Sequence, residues 1–393
     1  MRFNLWEDCN RVPLTELLSF IVDNRGKTVP TAPSGHKLIA TNCVTNNTLF
    51  PVYDKIRYLS EETYQTWFRA HPIPGDILFV NKGTPGRVCL VPDPVDFCIA
   101  QDMIALRADE SKIYPKYLFT VLRSREIQQQ IYNTNVGDVI PHFKKQFLDQ
   151  LLIPIPERSI QESIGDLYYV LSLKAERNKK INDNLMQQAA ALFSSLYDRT
   201  NTEVRFTDLI QILGGGTPKT GENTYWNGNI AFFTPKDVGT PYTLITEKTI
   251  TAEGLSHCNS RLYPVNTVFV TARGTVGKVG MSGVPMAMNQ SCYALVGKET
   301  HQLLVYFYTL KAVDRLKHKA SGAVFDAITT RDFESEQIMK LSDDDAKAFL
   351  CIAEPMFQKV LNNCIENLRL STLRDSLLPK LMSGEIDVSA VQL

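Results

Sequence analysis

No Cys-x-x-Cys pair occurs among the eight cysteines of this 393-residue sequence (Cys9, Cys43, Cys89, Cys98, Cys258, Cys292, Cys351 and Cys364). Neither a zinc ribbon nor a disulfide framework is indicated, and reduced, mostly buried thiols are expected. No apolar run approaches the roughly 20 residues that cross a bilayer. The opening residues, MRFNLWEDCN, lack a signal-peptide pattern. A cytoplasmic location without a membrane partner is therefore expected. An excess of either charge is also missing, since 42 Lys and Arg face 42 Asp and Glu. A free-standing nucleic-acid binder usually carries a basic excess, so a role on DNA would need local basic loops or a partner that supplies phosphate attraction.

Catalytic signatures are absent as well. There is no His-Glu-x-x-His, no Gly-x-Ser-x-Gly, and no Asn-Pro-Pro-Tyr of the amino-methyltransferases. The six histidines (His36, His71, His142, His257, His301 and His318) are scattered, with no two at helical metal-ligand spacing. The acidic run Asp343-Asp344-Asp345 is better explained as a helix start, where carboxylates complement the helix dipole. The stretch Gly214-Gly215-Gly216-Thr217-Pro218-Lys219 resembles a phosphate loop, but no Gly-Lys pair follows at the required offset. The other candidate, Gly277-Lys278, is followed by Val279, which has no hydroxyl for magnesium. No catalytic residue, cofactor or metal is expected.

What is present is a repeat. Leu14-Thr15-Glu16-Leu17-Leu18 matches Phe206-Thr207-Asp208-Leu209-Ile210, residues 36–44 lie over 230–238, and Pro74–Val80 lies over Pro264–Val270. The closest match is Lys82-Gly83-Thr84-Pro85-Gly86-Arg87-Val88 with Arg273-Gly274-Thr275-Val276-Gly277-Lys278-Val279. Gln101 pairs with Gln290, and residues 136–140 pair with 321–325. Each copy reads as strand-rich, with β-prone runs at 77–80, 88–91, 268–271 and 292–296 and short helices at 114–131 and 302–318.

A long helical stretch follows each copy. From Arg158 to Tyr197, Ile160, Ile164, Leu167 and Leu171 recur at steps of four and three. Ile181 and Leu185 continue the seam, and Lys174, Asn178 and Gln188 interrupt it. The second stretch, 343–383, carries Phe349, Met356, Val360, Leu368 and Leu377, with Pro355 and Pro379 expected to bend or end it. The implied division is 1–153, 154–200, 201–341 and 342–393: domain, helix, domain, helix.

In both matched loops two cations flank a Gly-Thr turn with no acid between them. Such a tip can approach a DNA backbone closely while Arg or Lys reaches phosphate or guanine. Gln101 and Gln290 have the groups for paired hydrogen bonds to adenine. The glycines at 214–216 read as a tight loop entering a strand, flanked by Lys219 and Lys236. A duplicated-domain adaptor that binds proteins rather than DNA is the alternative.

These residues resemble a known family. Gly215-Gly216-Thr217-Pro218, followed by Tyr225-Trp226-x-Gly228 and Ile230-x-Phe232-Phe233-Thr234-Pro235-Lys236-Asp237, is similar to the opening of the DNA specificity domain of type I restriction–modification systems. The stretch 273–278 resembles its central hairpin, Ile153-Pro154-Ile155-Pro156 with Gln161 and Ile164 its lead-in to a spacer helix, and 373–386 its C-terminal end. The first copy departs with Asn24-Arg25-Gly26-Lys27-Thr28 and no Tyr-Trp pair, and the second has Ile338-Met339-Lys340-Leu341 in place of the Ile-Pro lead-in. The resemblance implies an α+β chain in which two similar target-recognition domains are separated by two long antiparallel helices with pseudo-twofold symmetry. It implies a non-catalytic specificity subunit that reads a split, asymmetric sequence in double-stranded DNA. Its DNA contacts would include Lys27, Lys82, Arg87, Gln101, Thr217, Lys219, Lys236, Arg273, Lys278 and Gln290. The implied partners are methyltransferase subunits, expected to number two, which bring S-adenosylmethionine, and a restriction motor subunit.

Overall fold

The computed structural model describes residues 4–24, 26–134, 141–239, 241–319 and 327–386. The match between 136–140 and 321–325 lies outside them. The chain divides into two compact units, Met1–Arg177 with Asn367–Leu393, and Asn178–Glu366.

In the first unit a four-stranded antiparallel sheet runs in the order Leu18–Asp23, Met103–Ala108, Ile77–Val80, Val88–Leu90. A three-stranded sheet is ordered Arg57–Leu59, His36–Ile39, Phe97–Ile99, with its last two strands parallel. The central strand Ile77–Val80 is buried on both faces, which explains an unbroken apolar run in place of alternation. Its Phe79 shares one core with Tyr117, Phe119 and Phe143, all fully buried. The helical stretch expected at 114–131 is two helices, Pro115–Leu122 and Arg125–Thr134.

The second unit repeats this order. Ile210–Gly214, Cys292–Gly297, Val268–Thr271 and Val279–Ser282 form the larger sheet, with Tyr242–Thr243 added in parallel at its edge. Lys248–Ile250, Trp226–Phe233 and Met286–Met288 form the smaller one. Each unit is also closed by a two-stranded staple: Asn10–Pro13 with Leu152–Ile155, and Glu203–Arg205 with Gln337–Met339. Ile338 thus pairs with Val204 as Ile153 pairs with Val12. The missing Ile-Pro motif in the second copy does not alter the strand that precedes its helix.

One part of the sequence repeat needs a one-residue correction. Gly75 N–H bonds the Val91 carbonyl at 3.0 Å and Asn266 N–H bonds the Ser282 carbonyl at 2.9 Å. Gly75 and Asn266 both hold a left-handed backbone, φ 86° and 69°. The turn residue that tolerates positive φ sets the register, so Gly75 corresponds to Asn266, and Pro74 does not correspond to Pro264.

Both long helices are 40 residues, Arg158–Tyr197 and Asp343–Met382. The second continues through Pro355 and three residues past Pro379, so neither proline ends it at its own position. Proline removes one backbone donor, and the apolar face that carries Phe349, Ala353, Phe357, Val360 and Leu361 remains buried across the first proline. Ser342 caps its start, accepting the Asp345 N–H at 3.1 Å. Within the first unit Ile160, Ile164, Leu167, Leu171 and Leu377 join one apolar face with Leu378 and Leu381. Within the second, Phe193 packs edge-on against Phe349, with ring centroids 5.5 Å apart, and Leu185, Met356 and Val360 share that core. Leu368 is half-buried.

Ile181 does not continue the seam. It is 43% exposed, while Asn178 and Asn182 are buried. The Asn363 amide donates to Asn182 Oδ1 at 2.7 Å, and Asn178 donates to Glu366 at 2.7 Å. Helical periodicity places 178, 182, 185 and 189 on one face, so the middle of the seam is polar and Ile181 lies off it. No helix among the described residues is long and apolar enough to cross a membrane.

Candidate nucleic-acid interface

The matched hairpins are built by the same bonds. Gly86 N–H reaches the Val80 carbonyl at 3.0 Å and Gly277 N–H reaches the Thr271 carbonyl at 2.9 Å. Gly83, Gly86, Gly274 and Gly277 have φ of 85°, 85°, 84° and 73°, a region that costs other residues strain. A helix braces each tip from behind. Gln128 Nε2 donates to the Gly86 carbonyl, and Lys317 Nζ donates to that of Gly277, both at 2.8 Å. Lys82 and Arg273 also each form an isolated bridge to the segment that closes the unit, at His142 and Ala327. The tips are thus held firmly while Lys82, Arg87, Arg273 and Lys278 stay exposed. None of the four forms an ion pair with a described residue, so their charge is available to an outside anion.

The turn that carries the glutamine packs beside each hairpin. Lys82 N–H donates to the Asp102 carbonyl at 3.3 Å, and Ala272 N–H donates to the Ser291 carbonyl at 2.8 Å. Gln101 and Gln290 therefore sit next to the first cation of their tips. In the second unit the 214–217 loop lies against the same turn. A Cβ on Gly215 would come within 2.1 Å of the Asn289 carbonyl oxygen, so only glycine fits there. Gly216 N–H donates to the Met288 carbonyl at 3.1 Å, and Thr217 Oγ1 donates to Gln290 Oε1. This loop enters a short turn and then the strand Trp226–Phe233, so it offers no helix N-terminus to a phosphate.

The first unit reaches the same arrangement with different groups. The buried Asn24 side chain donates to the Ile99 carbonyl, which corresponds to the Met288 carbonyl met by Gly216. A side-chain amide replaces a backbone N–H, and the departure from Gly-Gly-Thr-Pro leaves the loop in place. Lys27 is exposed on it.

Lys236 is exposed but lies 3.8 Å from Glu247, which offsets part of its charge. Lys219 is exposed, and its carbonyl accepts the Trp226 indole N–H at 3.1 Å. Lys236 and Arg273 line a cleft of about 500 Å³ together with Thr234, Lys248, Asn289 and Ser291. Sequence reasoning passed over Lys248 and Asn289. Asn289 adjoins Gln290 and could have been noticed, but Lys248 arrives from another strand with no local motif.

Burial pushes the thiols of Cys98 and Cys292, near these turns, up to about 12. Thiolate chemistry at neutral pH is thereby disfavoured. No cluster of three His, Cys, Asp or Glu side chains suited to a metal occurs among the described residues.

A family model described as the type I restriction modification DNA specificity domain matches residues 19–187 and again 199–340. The type I restriction enzyme HindI specificity subunit of Haemophilus influenzae is 23% identical over 399 residues, 79% of this chain and 86% of that protein. The EcoR124I/EcoR124II specificity subunit of Escherichia coli is 34% identical over 184 residues, 42% of this chain and 45% of its own length. Among solved structures, the type I restriction–modification S subunit from M. genitalium aligns with a TM-score of 0.62 at 16% identity, covering 97% of this chain and 98% of that one. With the specificity-domain model matched once in each half and the S-subunit fold spanning nearly the whole length, the chain belongs to the family of type I restriction–modification specificity subunits, the non-catalytic members of those systems.

Proposed function

We propose that this chain reads DNA for a type I restriction–modification enzyme, each unit contacting one half of a split, asymmetric target. The recognition bodies are 1–153 and 201–341. The long helices, 154–200 and 342–393, dock two methyltransferase subunits, and a restriction motor joins that assembly. The observation that carries the reading is the pair of braced hairpins with unopposed cations at equivalent positions, each beside a glutamine turn. The cations supply phosphate attraction that the neutral chain lacks on average, and the turn brings side chains able to read base edges. The two bodies differ in sequence outside these closely matched tips, which supports an asymmetric target. The helices supply docking surface, with Ile181, Val170 and Ile352 exposed on them.

The test is to co-express the chain with its methyltransferase subunits and map methylated adenines with alanine at Lys82, Arg87, Arg273 or Lys278. Loss of a base-reading cation should cost about 1–3 kcal/mol and relax one position of one half-site. Loss of a phosphate contact should weaken all sequences alike and flatten the salt dependence. Wild-type affinity and selectivity in all four variants would rule out these loops as contacts.

A further inference from the structure

The two glutamine turns agree in how the amide is oriented. In the second unit Gln290 Oε1 accepts the hydroxyl proton of Thr217, and the side chain is exposed, with no described partner at Nε2. In the first unit Gln101 Oε1 is buried without a partner among the described residues, and its Nε2 has no described hydrogen-bond partner. In both, the oxygen is the end of the amide that the protein engages or encloses, and the amino group is the end without a described partner. The two copies reach this by different means, a threonine in one and enclosure in the other.

A paired contact to adenine needs both amide atoms, Oε1 accepting from N6 and Nε2 donating to N7. An amide whose oxygen is held by the protein cannot aim Oε1 at N6 while Nε2 meets N7, so the group it presents to a base is the NH₂ donor. In the major groove it complements acceptors, the O6 and N7 of guanine or the O4 of thymine, and it mismatches the amino groups of cytosine and adenine. We infer that Gln101 and Gln290 are donor-only readers, each selecting a keto base (guanine or thymine) at one position of its half-site, with Thr217 as the positioning residue for Gln290. This rests on the DNA-reading function proposed above and replaces the adenine contact expected from residue type alone.

Three variants of the chain, co-expressed with its methyltransferase subunits, test it by methylome and by competition between duplexes that differ at single base pairs. In the wild type, one position of the half-site read by the second body should be guanine or thymine. Thr217→Val removes the donor at nearly constant shape, frees Oε1, and should reduce discrimination against adenine there by roughly tenfold. Thr217→Ser keeps the hydroxyl and should restore the wild-type preference, which a merely structural role for the methyl group would not do. Gln290→Glu presents acceptors only and should turn the preference toward cytosine or adenine. The other half-site should not change. Unaltered base preference in both Thr217→Val and Gln290→Glu, or an equal loss on every sequence, would overturn the inference while leaving a split target intact. A wild-type complex that shows no split target would instead remove the functional reading, and this inference with it.

Discussion

Gly277 illustrates how a single residue ties backbone geometry to the exposed face. Its φ is 73°, and a Cβ there would come within 2.6 Å of Lys317 Cε. Gly277→Ala should therefore cost on the order of 1–2 kcal/mol from the left-handed backbone alone. It should also displace the Lys317 brace and weaken the half-site read by the second body. Chemical denaturation checks the first effect, and a cost below about 0.5 kcal/mol would mean that the turn relaxes freely. The hairpin was legible in the sequence because such a turn demands glycine at fixed offsets, and two copies displayed those offsets together. The Thr217–Gln290 bond was not legible. Its partners lie 73 positions apart, and no spacing rule links a loop to the far end of another strand. The same holds for Asn24, whose amide does the work of a backbone N–H that the sequence comparison counted as missing.

Among the elements, the long helices were the easiest to foresee and the easiest to misread in detail. Their extents, 158–197 and 343–383, followed from recurring apolar residues, but Ile181 was assigned to the seam because it is apolar and Asn178 was treated as an interruption. Phase decides the matter: the buried turn carries Asn182, bonded to Asn363 at 2.7 Å. The Asn363 Oδ1 atom is itself buried without a partner among the described residues, so this pair costs stability relative to an apolar contact. Asn182→Leu alone should destabilise by roughly 1–3 kcal/mol, since it strands the Asn363 amide. The double variant with Asn363→Leu should recover most of that loss or exceed the wild type, because replacing both partners removes the desolvation penalty. Equilibrium unfolding of the two variants decides it, and a double variant weaker than the single would show that the bond is net stabilising. A polar pair inside an apolar seam restricts the registers open to two helices, as a buried asparagine does in coiled coils.

At the scale of the whole chain, the duplication was readable from local matches, whereas the strand order was not. The parallel pairing of His36–Ile39 with Phe97–Ile99 joins segments far apart in sequence, and only tertiary packing selects it. The shared strand order leads to a prediction. Exchanging residues 206–336 for the matching body of another family member should change one half of the methylated sequence and leave the other half unchanged, as read from the methylome. A change in both halves, or in neither, would contradict independent reading by the two bodies. The staples explain why such an exchange should be tolerated. Val204 faces Ile338 and Val12 faces Ile153, so the chain enters and leaves each body on adjacent antiparallel strands, about 5 Å apart. In genetic terms each body is a cassette between two neighbouring splice points. Recombination that trades the entire stretch meets the same pair of strand ends, with no loop to re-thread, while a crossover inside it must reconcile two sets of sheet contacts. On the DNA-reading function proposed above, new sequence preferences would then arise by inheritance of intact bodies, without rebuilding the helices to which they are attached.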